Sequence, residues 1–170
     1  KGPLDKERLI SLKEAAALLP HVRVPVQVLS GLLPGEVEPA VALGVVCPVT
    51  DYETALRLSK TAVRRRARVR VHFKVDTGMG RMGIPVADAE PVIRRCALLP
   101  GLKAEGIFTH FPNANEPDDP MTPRQMDLFT KLLERLDDLG FDLVHLCNSD
   151  GINNFPGAYA DLVRTGINLY

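Results

Sequence analysis

The chain has 170 residues, and its 21 Lys plus Arg are balanced by 21 Asp plus Glu. A formal net charge of zero offers no excess positive potential to a nucleic-acid backbone or an anionic membrane surface, so neither is expected as a partner. With 45% hydrophobic and 25% charged residues, and no apolar run near the ~18 residues that span a bilayer, the composition predicts one globular domain over residues 1–170, filled by aliphatic side chains; a cytoplasmic location is expected from cysteines read as reduced.

Short β-branched runs alternate with amphipathic stretches. Residues 8–11 read as a possible strand and 12–19 as a helix. Residues 25–29 read as a strand, 34–43 as a helix stopped by Gly44, and 45–49 as a short strand. Asp51 is a good N-cap for a helix over 51–62. The strongest strand is 67–75, where Val69, Val71, Phe73 and Val75 alternate with Arg68, Arg70, His72 and Lys74. A glycine-rich loop leads to a helix over 86–98. Then come a strand at 104–108, a helix over 122–139 closed by Gly140, and strands at 143–146 and 162–169. Connections this long join parallel strands through crossover helices. The pattern allows an open doubly wound sheet or a (β/α)8 barrel. A complete barrel takes roughly 250 residues and eight repeats, so a barrel reading makes this chain an incomplete one. Cys47, Cys96 and Cys147 are widely spaced and form no CxxC; they read as reduced and packed in the core, with no metal site built on them.

Gly78-Met79-Gly80-Arg81-Met82-Gly83 formally matches GxGxxG after a strand. A nucleotide-binding oxidoreductase is therefore one reading. Against it, Asp76 and Thr77 intervene before the first glycine, Arg81 sits where the helix should open, and Pro85 postpones that helix. The glycines also suit a plain tight turn. A wider constellation is more specific: HFKVDTGMGRMGI, GIFTHF, HLCNSDG and DLVRTGINLY place Lys, Arg, His, Asn and Ser at four successive strand ends. Ligands of parallel α/β folds bind at that rim. The acidic run around Glu116, Asp118 and Asp119 reads as a solvated loop rather than a cation site.

These four motifs, in this order and spacing, resemble the barrel domain of bacterial alanine racemase over nearly the whole chain, from about residue 8. The resemblance implies a pyridoxal 5'-phosphate (PLP) isomerase that interconverts L- and D-alanine for cell-wall precursor supply. It implies an α/β, (β/α)8 TIM-type barrel and a homodimer. Arg164 would face the cofactor's ring nitrogen, with His145 supporting it and His110 close by. Ser149, with the backbone N–H groups of Gly166 and Ile167, would hold the phosphate. Arg81 would hold the substrate carboxylate, and Lys74 is a candidate N6-carboxylysine. Two positions depart from the family pattern: Thr165 replaces a usual proline, and Asp150 a small neutral residue. The resemblance also implies a lysine that bonds the cofactor covalently and a catalytic tyrosine from the other subunit. No residue here matches either, so the chain is expected to represent barrel strands two to eight, without the first strand or the C-terminal β domain. It is expected to contain no catalytic residue and to be inactive alone. The alternatives are a non-catalytic PLP-binding homologue, a racemase of serine or lysine, and the oxidoreductase.

Overall fold

The computed structural model describes residues 11–169. The expected strand at 8–11 therefore lies outside the described residues, except Ser11, which caps the first helix. Ser11 accepts from the Glu14 N–H, and Glu14 reaches back to the Ser11 N–H at 2.7 Å, a reciprocal capping box. Helix α1 (Leu12–Leu18) follows, then α2 (Val37–Leu43), ended by Gly44 at φ +67°. Next are β1 (Cys47–Val49), α3 (Tyr52–Arg65), β2 (Val69–Asp76), the two-residue β3 (Ile84–Pro85) and α4 (Val86–Ala97). The chain continues through β4 (Leu102–Phe108), α5 (Met121–Arg135), β5 (Leu143–His145) and α6 (Ser149–Asn154). Asp51 caps α3 as expected, accepting from Thr54 N at 2.6 Å.

All the pairings are parallel, and the sheet order is β1-β2-β4-β5, with β3 beside the end of β2. Residues 26–28 extend it on the β1 side through one bridge, Gln27 to Val46. The order thus follows the chain without reversal. A doubly wound nucleotide-binding sheet reverses at its switch point, whereas a barrel wall adds each strand on the same side. The α/β barrel-type expectation holds.

One expectation changes, and one element is new. Residues 162–169 form no strand: residues 161–164 run beside 144–147 with two main-chain bonds, Asp161 N to Val144 O and Arg164 N to Cys147 O, and the chain turns into a 3-10 helix at Ile167–Leu169. Residues 149–154 are a helix, capped by Asn148, which accepts from Gly151 N at 3.1 Å.

The two faces of β2 divide the molecule. Val71, Phe73 and Val75 join Ile93, Ile107, Phe129 and Leu132 in the core beneath the helices, nearly all without solvent contact. The opposite face is not solvated: His72 is 2% and Lys74 3% exposed. Parallel register aligns them with Gly106 and Phe108 of β4, and Phe108 with His145 of β5. A polar stripe therefore lies on the sheet's second face and is covered there. Cys47, Cys96 and Cys147 are free and buried, and burial raises the Cys47 thiol to about 12 and Cys96 to about 11.

Candidate functional site

The buried stripe ends at the carboxyl rim of β2, β4 and β5. At its centre is Arg164. Its guanidinium reaches His145 Nδ1 at 2.6 Å and donates to the main-chain oxygens of Thr109 at 2.7 Å and Leu146 at 2.8 Å. Three bonds to two different segments, the ends of β4 and β5, lock one orientation. Burial lowers its pKa to about 10, which leaves it charged at neutral pH. Since arginine only donates, His145 Nδ1 must accept. His145 is wholly buried, stacks on Phe108 at 4.7 Å between ring centroids, and is neutral: burial first, then Arg164 and His72, push it to about 2. Phe108 also lies 5.5 Å from both the Arg164 and Lys74 charges, presenting its ring face to two cations.

Lys74 is buried, with Nζ 3.5 Å from Leu29 O. Burial, then the charges of Arg81 and Arg164, lower its pKa from 10.5 to about 8, with Asp76 opposing. An exposed lysine on a polar strand face is thus excluded. His110 feels the same charges: burial, Arg164, Arg81 and Lys74 take it to about 3. Arg81 is exposed on the glycine-rich loop, yet its field reaches both Lys74 and His110.

That loop is shaped by Asp76, whose carboxylate accepts the N–H groups of Gly78 at 2.9 Å and Gly80 at 2.9 Å. Amides that would cradle a dinucleotide diphosphate are turned onto a protein anion instead. Helix α4 opens only at Val86, beyond the last glycine. The dinucleotide reading has no support in this geometry. Behind the loop, Thr77 and Thr109 share a 2.7 Å hydroxyl bond, and Gln125 of α5 donates to Thr77 at 3.0 Å and to His110 O at 3.2 Å.

Ser149 is 4% exposed, and its Oγ accepts from Gly166 N at 2.9 Å and Asn168 N at 3.4 Å. A Cβ at Gly166 would meet only Ser149 Oγ, at 3.9 Å, so the approach is open. Ile167 follows directly and opens the terminal 3-10 turn. Asp150 lies in the first turn of α6. Glu116 and Asp118 are exposed, in keeping with a solvated loop.

The structure thus joins Lys74, His110, His145 and Arg164 at one rim, with Ser149 and Gly166 bonded to each other nearby. Sequence reasoning did not single out Phe108, Thr109, Gln125 or His72 for this site. Period-2 spacing from Lys74 back to His72 was the available signal for His72. The others are placed by tertiary contacts.

Residues 9–170 match the model of the alanine racemase N-terminal domain. An alanine racemase of Desulforamulus reducens is 40% identical over 152 residues, covering 88% of this chain and 41% of that protein. One of Halothermothrix orenii is 37% identical over 166 residues, covering 96% and 42%. Among solved structures, the alanine racemase of Clostridium difficile 630 in complex with cycloserine aligns with a TM-score of 0.89 at 26% identity, covering 94% of this chain and 45% of that one. The Bacillus anthracis enzyme with bound L-Ala-P gives 0.81 at 28%, covering 93% and 42%. The chain spans less than half the length of these relatives. A polar rim on an unreversed parallel sheet and a family match over nearly every residue agree: this chain belongs to the alanine racemase family, as its N-terminal domain.

Proposed function

We propose that this chain forms the cofactor-binding barrel portion of a PLP-dependent alanine racemase, an isomerase acting on alanine as a cytoplasmic homodimer that supplies a cell-wall precursor. The observation that carries the reading is Arg164, a permanently charged donor held by three bonds beside the Ser149–Gly166 corner. The residues suit PLP. Ser149 Oγ with the Gly166 and Ile167 amides would take the phosphate, and Arg164 would donate to the ring nitrogen. When bound, PLP supplies an electron sink that acidifies the substrate's Cα–H.

A guanidinium does not give up its proton at working pH. Arg164 would therefore donate to the ring nitrogen without protonating it, which would temper the sink. His145 keeps Arg164 aimed, and Phe108 covers both. Arg81, exposed at the rim, would hold the substrate carboxylate. Lys74, with its lowered pKa, offers a neutral amine to CO2: an N–C bond forms and a proton is released. The resulting carbamate would pair with Arg81, changing a like-charge contact into an attractive one. The residues present match neither acid/base group of the family, so these 170 residues alone are expected to bind PLP weakly and not to turn over alanine.

The test is a titration with PLP followed by visible absorbance and fluorescence, with Ser149→Ala and Arg164→Leu each weakening binding at least fivefold. A longer protein containing this chain is then assayed for D-alanine formation. Unchanged PLP affinity in both variants would overturn the site assignment. Racemisation of serine or lysine in preference to alanine would overturn the substrate.

A further inference from the structure

We infer that Glu105 and His72 are positioning residues: they end a buried chain of polar contacts that sets the tautomer of His145 and so orients Arg164. The chain runs from Arg164 to His145 Nδ1 at 2.6 Å, from His145 Nε2 to His72 Nδ1 at 3.0 Å, and from His72 Nε2 to Glu105 Oε2 at 3.5 Å. Both rings are buried. Burial lowers the pKa of each; for His72, Glu105 opposes that while Arg70 and Lys103 add to it. Each ring therefore carries one proton, and its place follows from the ends. Arg164 only donates, so His145 Nδ1 accepts and its proton sits on Nε2. That proton points at His72 Nδ1, which must accept. The His72 proton is then on Nε2, a buried atom with no hydrogen-bond partner of good geometry among the described residues. Glu105 Oε2 is the acceptor the structure brings towards it.

The backbone is built for this contact. Val71 pairs with Ala104 and His72 with Gly106, so Glu105 is the extra residue of a β-bulge, a device that re-aims a side chain. Gly106 is required beside it: a Cβ there would lie 2.7 Å from His72 Cε1 and 2.8 Å from Nδ1. The other carboxylate oxygen, Oε1, accepts from Lys103 at 3.2 Å, and Lys103 also pairs with Asp142 at 2.6 Å. The relay thus joins the rim to a charge pair at the start of β4.

The tautomers can be read without cofactor by long-range 15N–1H spectra of histidine-labelled protein, with His21→Asn and His110→Asn identifying the remaining two rings. Wild type is expected to show both protons on Nε2; an Nδ1 proton on either ring overturns the inference, and this needs no variant to fold. In Glu105→Gln, Lys103 keeps the amide oxygen, so the amide NH2 faces His72. Both ring protons are expected to move to Nδ1, where His145 opposes Arg164. In Lys103→Met with Glu105→Gln the amide turns freely, and the Nε2 pattern is expected to return. Unchanged tautomers in Glu105→Gln, or no return in the double variant, overturn the inference. Its consequence for catalysis rests on Arg164 facing the cofactor, but the spectra fail or succeed independently of that reading.

Discussion

Lys74 allows the electrostatics of the site to be tested as a stability effect. Its folded pKa is about 8 against 10.5 for a free lysine, burial being the main cause. Between those values the unfolded chain binds more protons than the folded one, so stability rises with pH across the window. Below about 8 the penalty is present in full. A shift of 2.5 units corresponds to at most ~3.4 kcal/mol; screening at a polar rim reduces this to roughly 1–2 kcal/mol. Lys74→Met keeps the side-chain bulk and removes the charge. It is expected to stabilise the chain by that amount at pH 7 in CO2-free buffer and to flatten the rise from pH 8 to 10.5, both measured by urea unfolding. Bicarbonate is expected to stabilise wild type, because the carbamate turns a cation among Arg81 and Arg164 into an anion, and to leave Lys74→Met unchanged. A variant no more stable than wild type at pH 7, with the same pH slope, would refute the claim that the ammonium is buried against like charge.

Four further outcomes follow from packing. Gly83 sits at φ +128°, and a Cβ there would come 2.9 Å from Asp76 N and 3.0 Å from Lys74 O; Gly83→Ala is expected to cost on the order of 2 kcal/mol or more. Gly44→Ala, left-handed but in open space, is expected to cost about 1 kcal/mol; equal melting-point losses would show that the collision is relieved. Phe129, wholly buried on the inner face of α5, should lose about 3–5 kcal/mol on truncation to Ala, and a loss under ~1 kcal/mol in urea would mean that α5 does not seal the core. Cys47 and Cys96, raised to about 12 and 11 by burial, are expected to resist a disulfide reagent at pH 8 until denaturant is added; rapid native labelling would contradict their placement.

The helices were legible because their signals are local. Asp51 and Gly44 mark element ends that the structure keeps, whereas the helix expected over 122–139 stops at Arg135 and Gly140 closes a separate 3-10 turn at Asp137–Leu139. The polar face of β2 was legible as a pattern but not as a location. Period 2 says that His72 and Lys74 share a side, and only the sheet order shows that this side is covered. Residues 162–169 carry the β-branched run of a strand, yet side-chain bonds outbid the ladder. Arg164 reaches across to Thr109 O and Leu146 O, while Gly166 N and Asn168 N turn to Ser149 Oγ. Each bond consumes a backbone group or a direction that strand pairing would use. Helix α6 was not read from the sequence, although Asn148 caps it through the Gly151 N–H.

The charges at the rim have a common physical consequence. Lys74, Arg81 and Arg164 act on one another's surroundings in the same sense: Arg81 and Arg164 lower Lys74, and all three lower His110. Burial of like charges opposes folding unless an anion enters. Asp76, the carboxylate nearest in the chain to Lys74, is largely committed to the Gly78 and Gly80 amides. The rim is therefore short of negative charge in just the region where a phosphate, a substrate carboxylate or a lysine carbamate would sit. An anion that binds there stabilises the fold and the site together by linkage. A phosphate-bearing ligand should accordingly raise the melting temperature more than the same ligand without its phosphate.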